Sequence, residues 1–314
     1  MDIISLIVPC YNEHETIEVF YNEVIKYLDD KHEFNIIYVN DGSKDDSLEL
    51  MRKLAKSDKR VKYVSFSRNF GKEAAMYAGL EAAKKLNSDA AVIMDVDLQD
   101  PPRLLPAFLE AHDEGYNLVY ARQKNRKGAS KLSAFFSLSF YKVYSFFTGD
   151  KEMSNGARDY CLLDRKVIDA FLSIKDYDRF TKGIYHYVGF KKKCIEFDYE
   201  KRVAGETKWG FRKLLKYAFL GIKEFSEFYL IIPKFIGLLV TLLLLYDTGY
   251  QIYNVINLSN IQAFDWTHIR FDALILAVIM VLYYLFKLLY EVRTQVRQRP
   301  IYIEEESNIS NEAD

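Results

Sequence analysis

Residues 89–102 read DAAVIMDVDLQDPP, an apolar run followed at once by acidic residues and two prolines. The apolar part, 89–94, has the length and composition of a buried β-strand. Asp95 and Asp97 stand two residues apart, and at the end of a strand such residues point to the same side. Two carboxylates so placed repel each other unless a cation lies nearby, and oxygen ligands favour a hard cation, Mg²⁺ or Mn²⁺. The pattern therefore predicts a divalent metal site, to which Gln99, next in the same phase, adds an oxygen.

Apolar runs and helical patterns alternate along the chain around this stretch. Further strands are predicted at 3–8, 35–39, 61–66 and 117–121, and helices at 15–29, 45–57 and 71–86. Strands that alternate with helices predict an α/β fold, with a mainly parallel sheet covered on both faces. Ligands bind such sheets at the carboxyl ends of the strands. Polar clusters follow four of the predicted strands at those ends, as PCYNE, NDGS, SRN and DVDLQD.

Two of these clusters allow more than one interpretation. Asp41, in Asn-Asp-Gly-Ser, can accept a hydrogen bond from the ring N–H of uracil or guanine, or belong to a turn that caps the next helix. Glu13 can bind ribose hydroxyls or cap a helix in the same way. The local pattern alone favours the turn for Asp41.

The bulk composition excludes several classes of protein. The chain has 314 residues and a formal net charge of −1, so a nucleic-acid partner is not expected. Three cysteines without CxxC spacing indicate neither a disulfide framework nor a zinc site. The N-terminal MDIISLIVPCYNE has no basic region before its short apolar run, so we interpret it as a strand and not as a signal peptide. The bulk of the protein is therefore expected in the cytoplasm.

Two long apolar stretches near the C-terminus predict transmembrane helices. Residues 235–257 contain one charged residue, Asp247, and residues 271–290 contain charges only near their ends. As helices each would span roughly 30–35 Å, enough for a bilayer core. Lys and Arg cluster before the first stretch and after the second, which under the positive-inside rule puts both termini in the cytoplasm. A buried helical hairpin of a soluble protein is the alternative, which length and composition disfavour.

Four motifs, IVPCYNE, VNDGSKDDS, SRNFGKEAA and MDVDLQDPP, occur here in a distinctive order and spacing. In these motifs the chain resembles the polyprenyl-phosphate glycosyltransferases of family 2, among them bactoprenol-phosphate glucosyltransferases and dolichol-phosphate mannose synthases. The resemblance covers roughly residues 1–230. It implies a GT-A fold, which is Rossmann-like with a mainly parallel sheet, followed by interfacial amphipathic helices and two transmembrane helices.

The resemblance and the apolar stretches together predict four segments. A GT-A glycosyltransferase domain is expected at 1–210, a juxtamembrane amphipathic helix at 211–230, two transmembrane helices within 231–292 and a cytoplasmic acidic tail at 293–314. Within the first segment, the aromatic residues of 131–147 indicate either an amphipathic helix near lipid or an ordinary packed helix. Seven Lys or Arg against one acid in 201–223 suit anionic lipid headgroups. The acidic, Ser- and Asn-rich end, 301–314, is expected to be disordered.

The resemblance also implies roles for individual residues. Nucleotide-sugar binding is implied for Pro9, Tyr11, Glu13, Asp41, Asp95, Arg202 and Lys208. Lipid-phosphate contacts are implied for Arg122, Arg126, Lys131 and Ser133, with the donor phosphate as the alternative for the two arginines. Metal and diphosphate contacts are implied for Asp95, Asp97 and Gln99. For the basic residues, a solvated surface is the alternative.

Two acidic residues are expected to be catalytic, Asp97 and Asp159. Asp159, in NGARDYCLLDR, matches the carboxylate that the family uses beside the acceptor. A lipid phosphate is already ionised near neutral pH, so Asp159 either takes a proton or only positions the acceptor or sugar. Where the family often has RGL and a tryptophan, this chain has Lys182-Gly183-Ile184 and Tyr187, a departure that bears on acceptor or sugar fit.

The implied reaction is an inverting sugar transfer from a nucleotide-sugar, with a UDP-sugar favoured, to polyprenyl (undecaprenyl) phosphate at the cytoplasmic membrane face. The lipid-linked sugar would serve a cell-surface glycan or wall polymer. A flippase and an extracytoplasmic glycosyltransferase are then expected downstream, and a homo-tetramer by analogy with related bacterial enzymes. The alternatives are the same fold acting on another lipid acceptor, and a non-catalytic membrane scaffold that binds nucleotide-sugar.

Overall fold

The computed structural model describes residues 1–124, 157–176, 179–198, 235–243, 245–246, 249–250, 253, 267–296 and 300–309. Contacts divide the chain into two compact units. We call residues 1–224 with 300–314 the sheet unit, and residues 225–299 the helical unit.

The strands of the sheet unit form one eight-stranded sheet within the described ranges. They are β1 (Ile3–Cys10), β2 (Glu33–Asn40), β3 (Val61–Phe66), β4 (Ala90–Ile93), β5 (Leu118–Gln123), β6 (Ala157–Asp164), β7 (Lys192–Phe197) and β8 (Glu304–Ser307). Their order is β7-β5-β6-β4-β1-β2-β3-β8. Only β6 and β8 run antiparallel to their neighbours in this sheet, so the predicted α/β fold with a mainly parallel sheet is confirmed.

Helices alternate with the strands along the chain. The α-helices are α1 (His14–Val24), α2 (Ser47–Ser57), α3 (Lys72–Lys85), α4 (Leu105–Asp113), α5 (Arg165–Ser173), α6 (Thr181–Tyr187) and α7 (Thr267–Val296). Short 3₁₀ turns at Ile25–Tyr27 and Pro102–Leu104 adjoin α1 and α4. The helices predicted from periodicity at 15–29, 45–57 and 71–86 correspond to α1 with its 3₁₀ turn, α2 and α3.

Apolar side chains on both faces of the central strands form the core. Ile4, Leu6 and Val8 of β1 are fully buried in one cluster with residues of β2 and β4. Ile7 points the other way and meets α3 so closely that a Cβ on Gly79 would lie 2.2 Å from its Cγ2 atom. The alanine-rich sequence of α3 is therefore explained by close packing of the helix on the sheet.

The acidic motif lies beyond β4, in a turn. The last residue of the strand is Ile93. Val96 and Asp97 are in a turn, and Leu98 has a left-handed φ of 58°. The alternation of a strand does not extend through such a turn. The argument that gave Asp95, Asp97 and Gln99 a common phase is therefore wrong, although all three follow the carboxyl end of β4 as expected.

β6 is inserted in reverse direction between β4 and β5. Its pairing aligns Cys161 with Ile93, the last residue of β4, so the residues before Cys161 lie at the carboxyl edge of the parallel strands. This reversal brings the motif around Asp159 to the same edge as Asp95 and Asp97. The periodicity of the sequence does not predict it.

The acidic C-terminus is partly ordered. Residues 304–307 form β8, which pairs with the outer strand β3. The expectation of disorder across 301–314 is wrong for these residues, because their backbone groups complete the hydrogen bonding of an otherwise exposed sheet edge.

The helical unit contains one long apolar helix in the described part of the chain. Within α7, residues Ala273–Arg293 are long and apolar enough to cross a membrane, and none of the apolar window is buried. A core helix of a soluble protein would instead be mostly buried. Residues 235–243 of the other predicted span are helical, but much of that span, Asp247 included, lies outside the described residues. Two spans therefore remain a prediction, as do the helices at 131–147 and 211–230.

Candidate active site

The loops after β1 and β2 are joined by hydrogen bonds at the carboxyl edge of the sheet. Asn12, which has a left-handed φ of 52°, receives a hydrogen bond from Lys44 N at its Oδ1 (2.8 Å) and donates its own N–H to Ser43 Oγ (2.9 Å). Glu13 donates its N–H to Ser47 Oγ (2.8 Å), and its carboxylate accepts from Thr16 Oγ1 (3.0 Å). The loops that begin in the PCYNE and NDGS motifs are thus held against each other by hydrogen bonds.

Asp41 binds the backbone of the loop that follows β3. Its carboxylate accepts N–H groups from Phe70 at 2.6 Å and Gly71 at 2.9 Å. The neighbouring Gly42 has φ +64°, and a Cβ there would lie 2.3 Å from the carbonyl carbon of Arg68. Burial raises the pKa of Asp41 to about 6, although the two N–H groups oppose this change. The carboxylate therefore joins the second and third loops, a role that neither sequence interpretation anticipated.

A lysine connects the two acidic motifs that the sequence analysis singled out. Lys72 Nζ lies 2.6 Å from Asp95 Oδ1 and 3.0 Å from Asp159 Oδ2. The three side chains keep only a fifth to a quarter of their exposure. The positive charge holds together two carboxylates that are far apart in the sequence.

A second cation, Arg158, supports the turn of the acidic motif. Its Nε lies 2.6 Å from Asp100 Oδ1, and its Nη2 lies 3.9 Å from Asp95 Oδ2. Asp100 is 1% exposed, and its other oxygen accepts the N–H of Asp95 at 3.0 Å. Gln99 donates its N–H to Asp97 Oδ1 at 3.0 Å. Carboxylates of the turn therefore accept hydrogen bonds from backbone N–H groups of the same turn.

The charges around Asp159 determine its protonation state. Burial opposes ionisation, but Lys72 and then Lys182, whose Nζ is 3.9 Å away, hold the pKa of this carboxyl well below its usual range. Burial would likewise lower the pKa of Lys72, and Asp95 and Asp159 together raise it instead. Lys72 and Asp159 are therefore both charged near neutral pH.

Two carboxylates of the turn, those of Asp95 and Asp97, have the donor chemistry that a divalent cation prefers. Within the described ranges no three His, Cys, Asp or Glu side chains form a group that could hold a metal ion by themselves. Mg²⁺, however, is usually bound by one or two carboxylates and completes its shell with water and substrate phosphates. Asp95 and Asp97 are two such carboxylates, and both follow the carboxyl end of β4.

The remaining predicted residues differ in their surroundings. Pro9 is a partly exposed residue next to the end of β1, and Tyr11 and Glu13 follow that strand in the first loop. Arg122, expected to contact lipid phosphate, is paired with Glu196 of β7. Arg126, Lys131, Ser133, Arg202 and Lys208 lie outside the described residues.

Sequence reasoning overlooked Lys72, Arg158 and Asp100. A usable signal existed for Lys72, the first residue of α3, because a cation at a helix N-terminus opposes the helix dipole and needs another reason to be there. Arg158 directly precedes Asp159, but its partner Asp100 lies 58 residues earlier, and no local pattern connects them.

The chain is similar to known glycosyltransferases. The model of the family described as "Glycosyl transferase family 2" matches residues 5–172. An uncharacterized glycosyltransferase of Bacillus subtilis (strain 168) is 34% identical over 311 residues, which cover 96% of this chain and 93% of that protein. A prophage bactoprenol glucosyl transferase homolog of Escherichia coli (strain K12) is 36% identical, over 82% of this chain and 83% of its own.

Among solved structures, similarity extends to glucosyl-3-phosphoglycerate synthase from Mycobacterium tuberculosis, in a complex with Mn²⁺, UDP and glucosyl-3-phosphoglycerate. The identity is 18%, the TM-score is 0.48, and the match covers 69% of this chain and 76% of that one.

Proposed function

This chain belongs to glycosyl transferase family 2, and from that premise we propose that it transfers a sugar from a UDP-sugar to the phosphate of a polyprenyl phosphate. That it is a glycosyltransferase follows from the family. The observation that carries the proposal is the cluster of Asp95, Lys72 and Asp159 at the carboxyl edge of the sheet. The acceptor is proposed because the bactoprenol glucosyl transferase homolog is similar over most of both chains.

The donor is proposed to lie along the first three loops. Pro9, Tyr11 and Glu13 would contact the nucleoside, and Asp41 would accept the N–H of the uracil ring. Asp41 Oδ2 accepts one backbone N–H at 2.9 Å, and a carboxylate oxygen has two lone pairs, so a further acceptor position exists. Arg202 and Lys208 are proposed to contact the diphosphate.

Asp95 and Asp97 would hold Mg²⁺ or Mn²⁺, with Gln99 as a further proposed ligand. When bound there, such a cation supplies stabilisation of the negative charge on the leaving nucleoside diphosphate. Lys72, beside Asp95 and Asp159, offsets part of the negative charge of this cluster.

The acceptor phosphate is proposed to approach past Asp159. One of its oxygens forms a bond to the anomeric carbon from the face opposite the nucleotide, while the bond from that carbon to the diphosphate oxygen breaks, with inversion. Because Lys72 and Lys182 keep the pKa of Asp159 far below neutrality, this carboxylate is a poor base. We therefore assign it a positioning role, through the two ammonium groups. Arg122, Arg126, Lys131 and Ser133 are the proposed further phosphate contacts.

The membrane arrangement is proposed from α7 and from the sequence. Ala273–Arg293 would cross the bilayer together with the predicted span at 235–257, leaving the sheet unit on the cytoplasmic side. The product would then pass to a flippase and an extracytoplasmic glycosyltransferase, and a homo-tetramer remains a proposal.

A direct assay tests the proposed reaction. Full-length protein in membranes is supplied with undecaprenyl phosphate, Mn²⁺ and labelled UDP-glucose, UDP-galactose, UDP-N-acetylglucosamine or GDP-mannose. We expect a lipid-linked sugar that depends on added undecaprenyl phosphate, from a UDP-sugar. Transfer that is indifferent to this lipid would indicate another acceptor, and nucleotide binding without any transfer would indicate a scaffold.

The pH dependence of donor binding provides a test of Asp41. An ionised carboxylate accepts the uracil N–H more strongly than a protonated carboxyl does, so donor affinity falls as the pH drops through the pKa of about 6. We expect the Kd for UDP-glucose to rise about fivefold to tenfold between pH 7.5 and 5. The reason is that the ionised fraction of a carboxyl falls to about one tenth at one pH unit below its pKa. Isothermal titration calorimetry measures it.

The matched control is Asp41→Asn, in which this position does not titrate. The ratio of wild-type to variant Kd isolates Asp41 from every other titrating group. Parallel pH profiles for the two proteins would contradict the assignment.

A further inference from the structure

Residues 300–309, which we call the C-terminal segment, pack along the outer strand of the sheet. β8 lies antiparallel to β3, with Val64 opposite Ser307 and Ser65 opposite Glu306. The register shifts between Ser65 and Phe66, so the pairing changes at the end of β3 that leads into the third loop. The segment follows the apolar helix α7 in sequence but belongs to the sheet unit.

Side-chain contacts anchor the C-terminal end and the middle of this segment. Asn308 accepts the N–H of Tyr63 at its Oδ1 (2.7 Å) and donates its side-chain N–H to Val61 O (3.2 Å). Glu306 is bound by the guanidinium of Arg52, with one contact at 2.8 Å. These contacts lie along β3 and α2, away from the third loop.

Tyr302 anchors the N-terminal end of the segment, which lies beside the third loop. Its ring stacks on Phe66, the last residue of β3, at a centroid distance of 4.7 Å. Its hydroxyl donates to Glu81 Oε2 of α3 at 2.8 Å. Tyr302 therefore joins the end of β3 to α3, the two elements between which the third loop runs.

The third loop, residues 67–71, connects this contact to the donor side of the site. Ser67 donates its N–H to Ile303 O at 3.1 Å, and Phe70 packs edge-on against Phe66 at 5.8 Å. The N–H of Phe70 then binds Asp41 at 2.6 Å. A continuous chain of contacts therefore runs from Tyr302 through Phe66 and Phe70 to Asp41.

We infer that Tyr302 is a positioning residue for donor binding, acting through the third loop on Asp41. The inference rests on the proposed function, in which Asp41 receives the nucleobase. A segment that only covers the sheet edge would need its ladder and the contacts of Glu306 and Asn308. It would not need an aromatic contact aimed at the start of a ligand-binding loop.

Tyr302→Ala in the full-length protein tests the inference. The loss of a ring contact and a hydrogen bond should raise the KM for UDP-glucose and the hydrogen exchange of the Phe70 and Gly71 amides by about tenfold each, with kcat within about twofold. Tyr302→Phe keeps the stacking on Phe66 and loses only the hydrogen bond to Glu81, so it should show a smaller change in both readouts than Tyr302→Ala. Tyr302→Leu, which keeps apolar bulk without a ring, serves if the alanine variant does not fold.

Asn308→Ala is the matched control at the other end of the same segment. It should increase exchange of the Tyr63 amide, which donates to Asn308 Oδ1, and leave both the third loop and the donor KM near wild type. Unchanged exchange of residues 67–71 in Tyr302→Ala, or an equal effect of Asn308→Ala on that loop, would overturn the inference. Failure of the proposed function appears separately, as the absence of transfer by the wild-type protein, and the exchange measurement does not depend on transfer.

Discussion

Replacing Asp97 by asparagine is expected to lower kcat for sugar transfer about 10³-fold. In the proposed mechanism, the variant loses most of the charge stabilisation that a divalent cation held by this carboxylate would give the leaving diphosphate. Such stabilisation is worth several kcal/mol, and about 4 kcal/mol corresponds to that factor. The fold should be retained, since Asn keeps the Oδ1 atom that accepts the N–H of Gln99. Initial rates with UDP-glucose and undecaprenyl phosphate over a range of Mn²⁺ concentrations measure the effect.

Asp113→Asn is the control for this substitution. Asp113 is an exposed carboxylate at the end of α4, so its replacement should leave kcat and its Mn²⁺ dependence unchanged. Wild-type activity in a folded Asp97→Asn protein would remove Asp97 from the metal role.

Lys72→Met is expected to destabilise the sheet unit and to stop transfer. The substitution leaves Asp95 and Asp159 without the ammonium that lies 2.6 and 3.0 Å from them. Removing one partner from a buried ion pair costs about 3–5 kcal/mol, and the remaining exposure here reduces this to about 2–4 kcal/mol. The melting temperature should fall by roughly 5–12 °C for a unit of this size. Thermal unfolding of the full chain in micelles measures it.

A divalent cation should partly replace the missing charge. We expect Mn²⁺ to raise the melting temperature of Lys72→Met more than that of the wild-type protein, in which Lys72 already contacts Asp95. Lys85→Met, at the exposed end of the same helix, should change neither quantity. If Lys72→Met is as stable as Lys85→Met, the ammonium does not hold the site together.

The two substitutions differ in how far the sequence could anticipate them. Asp97 stands in a motif whose letters indicate its chemistry. Lys72 stands in SRNFGKEAA, a motif that supports the family resemblance but does not indicate what its lysine contacts. The partner Asp159 lies 87 residues further on, in a strand that the sequence analysis did not predict.

At the C-terminus, the sequence predicts disorder where the structure has a strand. Its composition indicates disorder, because it is acidic and has few apolar residues. A short strand needs no core of its own, however, when an exposed edge such as β3 offers unpaired backbone groups and Phe66 offers an aromatic surface to Tyr302. Composition measures what a segment can bury by itself, and not what a neighbouring element offers it.

The sequence by itself determined the alternation of strands and helices, the edge of the sheet that carries the polar loops, and the family. These features depend on local periodicity and on motifs that are contiguous in the chain. Only the tertiary structure decided the reversed insertion of β6, the ion pairs of Lys72 with Asp95 and Asp159, and the return of the C-terminal segment to β3. The first and the third depend on strand order, and the second on charges brought together from distant parts of the chain. Burial of a charge makes an opposite charge necessary, although no local pattern specifies which residue supplies it.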